Sequence, residues 1–434
     1  MGCLCTIALA GPPLWAATDS TAQPPLALEH FLSPDDAVRL PIGLPVGLDP
    51  TGWRVMALAE GSPRFVRTQS QAQSESPTRL LSGGAASQGA WDARFGDFRA
   101  NGTITAITVM SNAVFVGGEF TTMGGVDATN LAKWEGGVWS AVGGGVDGPV
   151  RALAAAGTNL LVGGEFMKAG TVAATNIAKW NGSRWSAFDT GLDGPVYALA
   201  AQDSKVYAGG LFANASGTNT LNIALWDGSA WTPLAEGVEG KVSALVVQAT
   251  NTLYVGGEFT KAGTVDVANV AKWNGQAWSA LSSGLDGPVN ALVGVSNNVY
   301  AGGAFAKAGG LNARGVGRWD GTNWFAVGTA IRESLVTVKA LVVKGASLYV
   351  GGQFAELGDK TVNHIARWDG TNWLVLSSGI SGADPSVSAL AASADSIYVG
   401  GVFDSAGDVG AKNIARWQLG NVWTALGTGL QGYA

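Results

Sequence analysis

Side chains suited to chemistry are scarce in this sequence. Its 434 residues hold two histidines, His30 and His364, and two cysteines, Cys3 and Cys5. No Gly-x-Ser-x-Gly elbow, HExxH pair or GxxxxGK[ST] phosphate loop occurs. Gly143-Gly144-Gly145 reads as the turn before a strand, not as the opening of a helix. The 32 acids would in principle allow a two-carboxylate hydrolase, but no pair stands out. Beyond residue 5 there is no thiolate ligand, and no DxDxDG-type loop gathers oxygens for calcium. The expectation is a non-enzyme with no catalytic residues, no metal and no cofactor.

Polar residues that recur at fixed spacing are more informative. An acid falls before each of several apolar strands, at Asp147, Asp193, Glu239 and Asp286, with Glu333 and Asp384 in longer loops further on. If these loops share one face of the molecule, the acids could ring a mouth and attract a cation or a basic ligand. The plainer reading is that Asp in Leu-Asp-Gly-Pro shapes a turn by accepting backbone amides, and that reading is preferred. Glu119, Glu165 and Glu258 follow a glycine pair, where Leu211, Ala304, Gln353 and Val402 stand in other copies, so no structural role there can require the charge. Asn130, Asn176, Asn222, Asn269 and Asn413 begin equivalent strands and are expected to satisfy loop backbone groups. The sharpest candidate for a polar ligand site is the irregular stretch carrying Arg314, Arg332, Glu333, Glu356, Asp359, Lys360 and His364, with drift in loop sequence as the alternative.

These residues are positioned by a repeat. Gly-Gly-x-Phe begins at Gly117, Gly163, Gly209, Gly256, Gly302, Gly351 and Gly400, in steps of 46, 46, 47, 46, 49 and 49 residues. Each copy continues to a segment such as Asn176-Ile177-Ala178-Lys179-Trp180, with a second Trp five residues on, or six in the last copy. One copy reads as four strands: Val150–Ala156 innermost, Leu160–Phe166 second, Asn176–Trp180 third and Arg184–Phe188 outermost. Asn181-Gly182 joins the last two and predicts a hairpin turn with φ > 0 at both residues. Fourteen of the 17 tryptophans belong to these pairs. Exposed indoles could stack on sugars, but fixed recurrence favours packing between sheets.

A period near 46 with four short strands predicts an all-β fold, a seven-bladed β-propeller of four-stranded antiparallel blades. The alternative is eight blades, with Gly47-Leu48-Asp49 and Val55–Ala59 as a decayed copy. Trp91–Phe95 reads as a stray outer strand that could close the ring. The domain expectation is a possible signal peptide at 1–17, an irregular segment and linker at 18–90, and the propeller at 91–434.

Gly-Gly, a downstream aromatic and a Trp about six residues beyond resemble kelch repeats. The fuller pattern, GGEFxxAG…NIAKWNGxxWSALGxGLDGPVxAL, is more similar to the kelch-related propeller repeats of fungal cortical polarity markers and bacterial surface proteins. That resemblance spans residues 103–430 and implies a scaffold or recognition role outside the cytoplasm. Galactose-oxidase-type copper chemistry would need a Tyr–Cys crosslink and histidine ligands, and the repeats hold no cysteine and one histidine, His364.

A formal net charge of −6 argues against nucleic acid. No run of 18 apolar residues predicts a transmembrane span. Residues 1–17 are uncharged, end in Trp15-Ala16-Ala17 and suggest export, although no basic residue leads them and Pro12-Pro13 interrupts them. Met1-Gly2 with Thr6, and Cys3, also fit loose lipidation patterns. Asn101-Gly102-Thr103, Asn181-Gly182-Ser183 and Asn214-Ala215-Ser216 are glycosylation sequons. The expected partner is a protein or, alternatively, a glycan, bound by an extracellular or surface-associated monomer.

Overall fold

A computed structural model of the chain describes residues 26–27, 48–49, 53–57, 63–67, 100–248, 251–328, 336–358 and 360–426. Arg332, Glu333, Asp359, the candidate strand Trp91–Phe95 and the candidate leader 1–17 lie outside the described residues. The chain divides into two compact units, Met1–Ala90 and Trp91–Ala434. In the first, Leu26–Ala27 pairs in parallel with Leu48–Asp49, and Trp53–Ala57 pairs antiparallel with Pro63–Arg67. These are two-stranded pairs, and the described residues there contain no four-stranded sheet of the kind the eight-blade alternative requires.

In the second unit each copy of the repeat folds into one antiparallel sheet with a four-stranded path, and the described residues form seven of them, the fourth carrying the short strand Val265–Asp266 as a fifth. We number these blades 1 to 7. Blade 2 runs from its inner strand, Val150–Ala156, through Asn159–Gly164 and Ile177–Trp180 to the outer strand, Trp185–Ala187. Every inner strand lies beside the inner strands of both neighbouring blades, and that of blade 7 (Ser386–Ala392) lies beside that of blade 1 (Thr103–Met110). The sheets therefore close into a propeller around a channel walled by inner strands. Each described blade is built from contiguous chain, with no strand exchanged across the closure.

The glycine pair is what allows blades to approach. A Cβ on Gly163 would fall 2.6 Å from Val196 Cγ1 of the next blade, and one on Gly164 would fall 2.0 Å from the Pro149 carbonyl oxygen. The same two collisions, with the next blade and with the blade's own inner strand, recur at Gly209-Gly210, Gly256-Gly257 and Gly351-Gly352. The cores lie between blades. Leu131, Val142 and Val146 of blade 1 and the connector after it pack with Val150, Val162, Phe166 and Trp185 of blade 2.

The paired tryptophans sit at these junctions, with ring centroids 4.9–5.5 Å apart in all seven blades. The second Trp of every pair is buried and the first is buried or half-buried, in keeping with packing between sheets.

One turn differs from expectation. Gly182 has φ +97°, but Asn181 is not left-handed, and the loop spans four residues between the paired Trp180 and Trp185. Asn181 Oδ1 accepts from the Ser183 and Arg184 amides at 3.0 and 2.9 Å, so the side chain closes the turn and the backbone at 181 need not invert. Asp227, Asp320 and Asp369 do the same. The paired amides hold each of these carboxyls below the usual aspartate range.

Candidate functional site

Each inner strand carries one residue that the pairing skips. In blade 2, Val150 pairs with Gly164 and Ala152 with Gly163, which leaves Arg151 as a β-bulge. The same skip falls at Thr105, Tyr197, Ser243, Asn290, Lys339 and Ser388. An extra residue re-aims its side chain, here toward the axis. Thr105, Arg151, Tyr197, Ser243, Asn290 and Ser388 line a cavity of about 200 Å³ in the channel. All seven bulge residues are half-buried, each following a fully buried Val or Ile.

Residues just after the glycine pair join the bulge residues into a polar ring. Arg151 Nη1 lies 2.6 Å from Glu119 Oε1 in blade 1, and its Nε lies 2.8 Å from Glu165 Oε1. Burial works against the Arg151 charge, but the two carboxylates outweigh it and raise its pKa. Lys241 Nζ stands 4.7 Å over the Tyr197 ring. Burial first, then the Glu165 charge, raise the Tyr197 phenol. Thr105 Oγ1 donates to the Val150 carbonyl. Asn290 Nδ2 donates to the Val338 carbonyl at 2.9 Å, and Lys339 Nζ to Ser386 Oγ at 2.8 Å. The ring thus presents mixed charge, an aromatic hydroxyl, an amide and aliphatic hydroxyls, with Thr105, Arg151, Tyr197, Asn290 and Lys339 each in contact with a neighbouring blade.

The sequence drew attention to other residues. Asp147 Oδ1 accepts the Met167 and Lys168 amides, both at 2.8 Å. Asp193 accepts those of Ala213 and Asn214, and Asp286 those of Ala306 and Lys307. These acids bind the connector before a blade to that blade's loop between second and third strands, twenty residues on. Asn101 makes the same clamp to Thr121 and Thr122 in blade 1, so the position selects an acceptor, not a charge. Burial opposes ionisation of Asp193, but its amide bonds, those of Asn214 foremost, outweigh that and lower its pKa. In blade 4 the strands pair through this point, and Glu239 faces Lys261 at 4.0 Å. The blade 7 counterpart is Ser381, bonded to Ser405, and not Asp384, which instead accepts from Gln353.

His364 stands where other blades have Asn. Asn176 Oδ1 accepts the Phe166 amide, and His364 Nδ1 faces the Phe354 amide at 3.4 Å, on a left-handed backbone with φ +70°. Arg314 occupies the turn just before the equivalent corner of blade 5, where its amide donates to the Ala306 carbonyl. The two thus sit at corresponding corners of adjacent blades, and neither lines the channel cavity. Among the described residues no cluster of His, Cys, Asp or Glu is arranged to hold a metal ion.

Sequence reasoning passed over the bulge residues. Their signal was a single free position in an otherwise fixed pattern, Val/Ile-x-Ala-Leu/Ile, where x is Thr105, Arg151, Tyr197, Ser243, Asn290, Lys339 and Ser388.

Comparison with known proteins agrees with the fold. Residues 93–237, a third of the chain, match the family described as the Rax2 C-terminal beta propeller domain. No curated protein matches the chain. Among solved structures, the WD40 beta propeller domain of Doa1 is similar with TM-score 0.47 and 12% identity, over 73% of this chain and 92% of that one. The computationally designed Ika8 protein gives TM-score 0.46 and 16% identity over 73% and 96%. Sqt1 of Saccharomyces cerevisiae gives 0.43 and 10% over 75% and 85%. At TM-scores below 0.5 these three likenesses carry no argument about function.

Proposed function

We propose that this propeller is a non-catalytic recognition and scaffold module that works outside the cytoplasm or at a cell surface and binds a protein partner over the channel mouth. The observation that carries the reading is the bulge ring. Seven copies hold the neighbours of the bulge nearly constant and vary the bulge residue itself among six residue types, which sets varied chemistry around the mouth on one rigid frame. Glu119 and Glu165 are committed to Arg151, which suits them to shape recognition better than to proton transfer. The match of residues 93–237 to a Rax2 propeller and the wider kelch-like resemblance to fungal polarity markers support the surface setting.

The test compares the intact chain with the triple variant Arg151→Ala, Tyr197→Ala, Lys339→Ala as bait in crosslinking to extracts of cell-surface protein. Glu135→Ala, at the outer hairpin of blade 1, serves as control. Partners held by wild type and the control but lost from the triple variant are expected. Equal retention by all three proteins would sink the reading. Saturable binding to a glycan array, lost in the same triple variant, would transfer the site to sugars.

A further inference from the structure

The place just after each glycine pair faces the channel mouth, and the fold accepts Glu, Gln, Ala, Leu or Val there. Around four consecutive blades it reads Glu119, Glu165, Leu211 and Glu258, so one apolar residue stands between carboxylates. Leu211 is 51% exposed, and the loop that it opens, 211–222, contains no charged residue. Within blade 3, Leu211 and the bulge residue Tyr197 hold the places of Glu165 and Arg151 in blade 2, where the two side chains meet at 2.8 Å. Tyr197 is the one aromatic among the seven bulge residues, and Lys241 covers one face of its ring.

Met167, 63% exposed, adds apolar surface on the blade 2 loop. That loop and the blade 3 loop are both bonded to the connector between them. The corner Asn176 of blade 2 donates to the Leu192 carbonyl, and Asp193 accepts the Ala213 and Asn214 amides of blade 3. Leu311 and Val402, the other exposed large apolar residues of this face among the described residues, stand singly in blades 5 and 7. Blades 2 and 3 thus carry the one place on the mouth face where exposed apolar residues fall in adjacent blades and beside an aromatic ring.

The charges around that place are lopsided. In the mouth-face loops and connectors from Glu119 to Pro288, with the bulge residue Arg151, eleven acids stand against four bases, Arg151, Lys168, Lys241 and Lys261. On the same face of blades 5 to 7, four acids stand against five bases among the described residues. Of the eleven, Glu119, Glu165 and Glu239 pair with a base. Asp147, Asp193 and Asp286 are exposed yet fixed on backbone amides, so their charge stays at the surface.

We infer that the protein partner grips blades 2 and 3 with a basic segment that carries a bulky apolar side chain. The apolar group covers Leu211 and the open side of Tyr197, and the flanking Lys or Arg residues meet the carboxylates of blades 1, 2 and 4. This rests on the reading of the mouth as a protein-binding surface and adds which sector is gripped and by what chemistry. Contact with Leu211 and Tyr197 supplies affinity at the centre, while the acids around it steer a cationic segment and repel an acidic one.

The test selects a random peptide display library on the full chain, then measures the affinity of recovered peptides at physiological ionic strength, where distant charges are screened. Peptides pairing Lys or Arg with Leu, Met or Phe are expected, and Leu211→Asn should weaken them. Neutralising three exposed acids of blades 3 and 4 that carry no backbone clamp, by Glu236→Gln, Glu258→Gln and Asp266→Asn, should weaken them about tenfold. Asp384→Asn, Asp404→Asn and Asp408→Asn together, also exposed but across the ring, should leave affinity within about twofold.

Acidic or uncharged peptides that are lost from the Arg151→Ala, Tyr197→Ala, Lys339→Ala variant would overturn this inference and leave the mouth as the docking surface. Peptides held equally by that variant and the intact chain would overturn both. Basic peptides weakened equally by the two neutralised sets, or unaffected by Leu211→Asn, would mark general charge attraction and overturn the assignment to blades 2 and 3.

Discussion

Gly163→Ala should destabilise the propeller through the next blade's Val196 and through little else. Gly163 has no left-handed backbone demand, so alanine is locally acceptable in the strand. Its lower unfolded-state entropy would on its own stabilise by about 0.5–1 kcal/mol. Against that, the new Cβ would fall 2.6 Å from Val196 Cγ1 and 3.2 Å from Leu199 Cδ1, overpacking that costs about 1–3 kcal/mol. The net expectation is a loss of roughly 1–2 kcal/mol. Val196→Ala alone should cost about 2 kcal/mol as a buried truncation. Combined, the alanine at 163 moves into the space the valine vacates, and the pair should be less damaging than the sum by roughly 2 kcal/mol. The assay is urea denaturation of wild type, both single variants and the double variant. Gly164→Ala serves as control, since its Cβ would strike the Pro149 carbonyl at 2.0 Å and Val196→Ala cannot relieve it. Equal cost for Gly163→Ala in both backgrounds would refute the packing of blade 2 against blade 3 as the reason for the glycine.

Three further outcomes follow from the same geometry. Trp185→Phe removes a bonded indole and should cost about 1 kcal/mol more than Trp373→Phe, which removes an orphaned one; paired thermal melts measure the difference. Asp193→Ala should cost about 1 kcal/mol at neutral pH by releasing two amides. Because the Asp193 pKa is lowered in the fold, its contribution is complete above the unfolded value, about 3.8, and disappears as pH falls through the folded value, so the melting temperatures of wild type and variant should converge under strong acid. Asp320→Asn keeps one acceptor oxygen for the Thr322 and Asn323 amides and should hold the hairpin, whereas Asp320→Ala should loosen it; hydrogen exchange of Trp324–Ala326 separates the two.

Most of the frame was legible because it obeys a period. Gly-Gly, the Trp pair and the apolar alternation recur at nearly fixed spacing, and each marks a place where two sheets must meet. The acid column was legible as a column, and the turn-shaping reading of it anticipated amide bonds. Sequence could not show that the amides of Met167 and Lys168 belong to a loop twenty residues downstream, because that contact exists only once strands have paired. Asn181-Gly182 misled for a different reason. The pair is compatible with two turn geometries, and a four-residue loop closed by Oδ1 needs only the glycine inverted. The bulge stayed hidden because alternation of apolar residues says which face a side chain takes but not where one residue is skipped.

The departures from the repeat fall into two kinds, and their positions separate them. At the bulge, substitution is free because the side chain enters the channel and the ladder has already skipped that residue, so Thr105, Arg151, Tyr197 and Lys339 can differ with little effect on the sheets. At the corner, substitution is not free, because the Asn that is lost held two blades together. His364 accepts that change with a compensating bond from Asn363 beside it, and Gly315 replaces the corner Asn of blade 5. A repeat that had merely drifted would scatter its exceptions over both kinds of position in every blade. Here the corner exceptions gather in blades 5 and 6, next to the sector of the mouth that holds Asn290 and Lys339.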